Sequence, residues 1–154
     1  MTAHPIILFM LFSIGNLFFG PNQATTDQDT IVAFAHKAAV RAVNFHDGDA
    51  ESLAHSRADF SPEGWKDFMK HMEGFIDSKG APTFTSYFIP SANARVLGEK
   101  DGIVHFRIPG ILKQTSKASS TTYKAALEVH AGGSPIKITR LQQIMCASAS
   151  TACQ

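Results

Sequence analysis

Two polar pairs sit inside apolar, alternating segments of this chain. His105 and Arg107 interleave with Val104, Phe106 and Ile108, while Glu128 and His130 interleave with Leu127 and Val129. A period of two is that of a β-strand, so each pair shares one face of its strand. On the concave side of a sheet, His105, Arg107 and His130 would line a pocket for a small molecule or an enzymatic reaction. On a solvent-facing or helix-covered side they make only a polar face. His46, Asp47 and Asp49 flank Gly48 and offer three donors to a cation, but the spacing is not that of an EF-hand loop. A solvated turn is the simpler reading. The chain has 7 histidines, none in a His-x-x-x-His or His-Glu-x-x-His pair. It also has no Ser, Cys or Thr in a nucleophile elbow and no Gly-rich phosphate loop. No catalytic residue, cofactor or metal is expected, and the chain reads as a non-enzyme.

The background is neutral in charge. At 154 residues, 44% apolar and a formal charge of +1, the chain suits one globular domain and shows no basic patch for nucleic acid or anionic lipid. Its first 26 residues carry no charged side chain, and residues 6–20 are almost all apolar. That run is short for a bilayer span and right for a signal-peptide core. The expected division is an export segment over 1–24, cut after Ala24, a domain over 25–146 and a tail over 147–154. An uncleaved membrane anchor is the rival to cleavage. Export would place Cys146 and Cys153 in an oxidising compartment, where the pair reads as a disulfide. Such a short loop contributes roughly 2.5 kcal/mol in the chain-entropy account. Two inert thiols are the alternative, since the spacing fits neither a zinc site nor Cys-x-x-Cys chemistry.

Periodicity supplies the elements that position these groups. Ile31, Phe34, Ala35, Ala38, Ala42 and Phe45 recur at helical spacing over 26–45. A short helix over 50–58 buries Leu53. A third helix starts at Ser61 and carries Trp65, Phe68, Met69, Met72, Phe75 and Ile76 on its core face as far as Gly80 and Pro82. The period then changes to two. Strands are expected over 83–97, with a break near Pro90, and over 103–113, 123–130 and 136–145. Turns fall at Glu99-Lys100-Asp101-Gly102 and at residues 131–135, with a polar loop or frayed tip over 114–122. The predicted fold is α+β, with two to three N-terminal helices packed on a curved antiparallel four-stranded sheet.

The third helix begins with Phe60-Ser61-Pro62-Glu63-Gly64-Trp65. Ser61 suits an N-cap and Pro62 the first helical position. Phe-Ser/Thr-Pro-x-Gly-Trp followed by an amphipathic helix resembles the IcmL-like (DotI/TraM) proteins of type IVB secretion systems. Leu53 lies seven residues ahead of Phe60, as a Leu does in that family, and residues 108–120 resemble its Pro-containing strand and Ser/Ala/Thr/Gln-rich tip. The likeness spans roughly residues 27–146. It departs at Asn44-Phe45-His46-Asp47-Gly48-Asp49, where the family has a tyrosine-rich segment. The resemblance implies a cone-like fold similar to nuclear transport factor two and a structural role for Phe60, Ser61, Pro62, Gly64 and Trp65. It also implies a periplasmic or inner-membrane-anchored location in a Gram-negative bacterium, and protein partners in a secretion complex, self-association included.

Overall fold

A computed structural model describes residues 27–147 and Cys153. The expected export segment over 1–24 and most of the tail lie outside the described residues. Among the described residues no helix is long and apolar enough to cross a membrane.

Helix α1 (Gln28–Val43) starts at Asp27, whose side chain accepts from the Asp29 backbone N–H. It buries Ile31, Ala35, Ala38, Ala39 and Ala42. These are mostly small side chains, and a small-residue face lets a helix lie close on a sheet; α1 touches β1, β3, β4 and β5. Gly48, at φ +74°, reverses the chain, and Asp49 caps the short α2 (Ala50–Ala54) by accepting from Glu51 and Ser52 N–H. A 3-10 turn (His55–Asp59) leads into Phe60. An ion pair between Arg41 and Asp59 ties that turn to α1.

Helix α3 (Pro62–Met72) begins as expected, with Ser61 Oγ accepting from Gly64 N–H at 3.0 Å. Its buried line is Gly64, Phe68 and Met72, rotated from the expected face. Trp65 and Met69 are only partly buried against the core, and Phe75 is 52% exposed. The helix also ends sooner than expected, giving way to a 3-10 turn (Glu73–Phe75). Gly64 accounts for the rotation. A Cβ there would lie 2.5 Å from the Ile138 carbonyl oxygen and 2.9 Å from that of Thr139, so the helix backbone rests directly on a strand.

Five strands follow, β1 (Thr85–Pro90), β2 (Arg95–Lys100), β3 (Ile103–Thr115), β4 (Ser120–Gly132) and β5 (Lys137–Met145). They form one antiparallel sheet in the order β1-β3-β4-β5, with β2 also on β3. The expected four strands are therefore five. Residues 91–94 split the first expected strand in two, and β3 is long enough to pair with β1 through residues 110–115 and with β2 through residues 103–107. The expected hairpin turn closes at Asp101 and Gly102, both at positive φ (53° and 75°), the signature of a two-residue primed turn. The polar run 114–122 is mostly ladder rather than loop, with only residues 116–119 outside it. Backbone pairing, not burial, carries the hairpin that far.

The core fills the space between helices and sheet. Phe45, Phe88, Phe106, Ile108, Leu112, Leu127, Val129 and Ile138 are almost wholly buried. Phe60, Trp65 and Phe68 form an aromatic trio with ring centroids 5.4–5.6 Å apart. Gly64→Ala should destabilise the domain by about 1–3 kcal/mol, the usual cost of forcing atoms into a packed site. Urea denaturation measures it, and an unchanged midpoint would refute the close-contact account.

Candidate functional site

Pairing of β3 with β4 sets His105 opposite His130 and Arg107 opposite Glu128. The four groups named in the sequence as two separate pairs thus become one cluster. Arg107 Nη2 donates to Glu128 Oε2 at 2.9 Å. His105 Nε2 lies 2.9 Å from the other oxygen, Oε1. The His105 and His130 rings stack, with centroids 4.1 Å apart and planes 16° from parallel. Arg140 of β5 sits opposite His130. All four cluster residues are partly buried, and the Glu128 side chain is 19% exposed.

The cluster lies away from the groove between helices and sheet. In β3, Val104, Phe106, Ile108 and Leu112 point into the core, so His105 and Arg107 occupy the face turned away from the helices. A groove of about 600 Å³ lies on the other side. Phe68, Met72 and Phe75 form one wall; Phe84, Gln114, Tyr123 and Gln143 form much of the rest. His105, Arg107 and His130 are absent from that lining, because strand alternation sends them to the opposite face. Sequence periodicity announces the two faces but not which of them the helices cover.

The other singled-out residues have structural work. Asp49 is a helix cap, the Asp47 N–H donates to Thr85 Oγ1 at 3.0 Å, and His46 N–H donates to Ser52 Oγ at 2.9 Å. His46, Asp47 and Asp49 do not gather as a cation site among the described residues. Cys146 and Cys153 form a disulfide with Cα atoms 6.0 Å apart, and the Cys146 N–H donates to the Lys124 carbonyl at 3.0 Å. That bond continues the β4–β5 ladder, so the disulfide loop is anchored at one end to the sheet. In the sequence Asn44 has no role beyond the departing segment, yet its Oδ1 accepts from Phe88 N–H at 2.7 Å and links the end of α1 to β1. A lone Asn after a helix carries no signal for such a distant partner.

The arrangement of these elements decides the comparison with known proteins. The chain has the fold of the IcmL-like and DotI periplasmic domains. An IcmL-like type IV secretion system protein from Legionella pneumophila superposes with a TM-score of 0.64 at 12% identity, covering 81% of this chain and 97% of that one. The periplasmic domain of DotI gives 0.63 at 15% identity, covering 79% and 97%. A periplasmic fragment of TraM gives 0.62 at 14%, covering 79% and 99%. No family model and no curated protein matches the sequence. The proteins that share this fold bear the names of the family that the Phe60–Trp65 motif resembles.

Electrostatics tie the cluster to pH. The Arg107 hydrogen bond, helped by His105 and opposed by burial, holds the Glu128 carboxyl below its ordinary range. Burial, then the charges of His105 and Arg140, push His130 below the ordinary imidazole value, against the pull of Glu128. Burial also lowers His36. Glu128 therefore contributes stability that is present above its unfolded pKa of about 4.3 and lost as pH falls through its lower folded value. His130 and His36 take up protons first in the unfolded chain. Stability falls as pH drops below about 6.5 and levels off below their folded values. Denaturation in chelator-containing buffer should show both limbs. Glu128→Gln should cost roughly 1–3 kcal/mol at neutral pH, as expected for a charged hydrogen bond, and flatten the acid limb. His130→Asn should shrink the limb below about 6.5, leaving the share due to His36. Parallel pH profiles in parent and variants would contradict this assignment.

Proposed function

We propose that this chain is an exported, non-enzymatic structural or accessory component of a type IVB (Dot/Icm-like) secretion apparatus, acting by protein–protein docking in the periplasm. The observation that carries the reading is the fold shared with IcmL-like, DotI and TraM domains over 79–81% of this chain and nearly all of theirs. The Phe60-Ser61-Pro62-x-Gly64-Trp65 motif, which resembles that family's signature, supports it as well, and its residues make the α3–β5 contact of this chain. In this reading residues 1–24 export the chain and 25–146 dock to protein partners. Residues 147–154 are read as a tail, and Cys146 is joined to Cys153 by a disulfide. The enzymatic alternative used a pocket near His105, Arg107 and His130. Those side chains bind one another on the face away from the groove, which favours the docking role.

Crosslinking and co-purification from membranes of the native host should recover other secretion components with this chain, and also copies of itself if it self-associates. Recovery without any secretion component would sink the proposal. Amino-terminal sequencing of the exported protein should begin at Thr25; a chain beginning at Met1 would establish an uncleaved anchor instead.

A further inference from the structure

We propose that His105, Glu128 and His130 form a Zn²⁺ site on the outer face of the sheet, with Arg107 holding the carboxylate for the ion. One nitrogen from each imidazole and one Glu128 oxygen lie within 4.8 Å of one another. Among the described residues no other three His, Cys, Asp or Glu side chains gather so closely. Strand register builds the set, with His105 directly across from His130 and Glu128 two residues before it on the same face.

The donor chemistry is that of a three-ligand zinc site. Two imidazoles and one carboxylate leave a fourth tetrahedral position for water or for a partner's side chain. Ligand bonds of about 2.0–2.2 Å put tetrahedral donors about 3.3–3.6 Å apart, so the His105 Nε2–Glu128 Oε1 contact at 2.9 Å opens slightly while the wider separations, within 4.8 Å, close. The shift needs only rotation of side chains that keep partial exposure, because the ladder between β3 and β4 already fixes the backbone. Arg107 suits a supporting role. It bonds Oε2 and leaves Oε1 to face His105 Nε2, and ligating carboxylates are themselves usually hydrogen-bonded by such a partner. The cations opposite the site, Arg140 facing His130 and Arg95 facing Arg107, repel a divalent ion. They set the expected affinity in the micromolar range rather than tighter. The ion would clamp β3 to β4 and present an open coordination position on the surface opposite the groove.

Calorimetric titration of ZnCl₂ into the untagged, chelator-stripped protein tests the site, with Co²⁺ absorption as the geometric probe. One ion per chain should bind, and Co²⁺ should show the visible bands of tetrahedral coordination. His130→Asn and Glu128→Gln should each weaken binding tenfold or more, and Arg107→Met by about 10–100-fold. His71→Asn, outside the cluster, should bind as the parent does. Thermal melts without metal establish that each variant is folded, and His105→Gln replaces any that is not. Absence of a one-to-one heat, or binding in the cluster variants within twofold of the parent, would overturn the proposal.

Discussion

Helix α3 lies with its backbone against β5, and most of the architecture follows from that contact. Ser61 N–H donates to the Ile138 carbonyl at 2.9 Å while Phe60 makes a parallel bridge to the same residue. One helical turn later Gly64 removes the only atom that would hold the two backbones apart. A strand edge and a helix start thereby satisfy each other's polar groups, both of which would otherwise be unpaired. Phe60, Trp65 and Phe68 then close around the contact as an aromatic wedge. The approach also fixes the roll of α3, burying Phe68 and Met72 and turning Phe75 outward.

That roll shapes the groove. With Phe75 partly exposed and α3 ending at Met72, the far part of the β3–β4 hairpin faces Phe68, Met72 and Phe75 across open space. Its walls are aromatic side chains, amides and hydroxyls, with His71 the one titratable side chain besides Tyr123. The acid–base groups stand instead on the opposite face, where Arg107 and Glu128 neutralise each other. Partly buried charges are tolerated only when so paired. The division separates the acid–base groups of this domain from its concavity.

Helix existence, the Ser61 cap, the Asp101-Gly102 turn and the α+β order were legible because each rests on local rules: periodicity, capping and turn geometry. The motif Phe60 to Trp65 was legible for the same reason and named the right fold. The fifth strand was hidden because a break at Pro90 reads alike whether the two pieces continue one strand or lie in line along a longer partner. The extended hairpin was hidden because residues such as Thr115 and Ser120 pair through backbone, with no apolar alternation to show it.

The chain's sequence alone determined which strand residues face together, His105 with Arg107 and Glu128 with His130, and that Phe68 and Met72 share a helix face. Those are consequences of periods of two and 3.6, which need no partner to be read. Only the tertiary structure decided that the two polar pairs meet as one cluster, that their face is the one turned away from α1 and α3, and that the signature glycine is a point of backbone contact. Each of those depends on strand register and on how closely α3 approaches β5, and both are set by groups far apart in the chain.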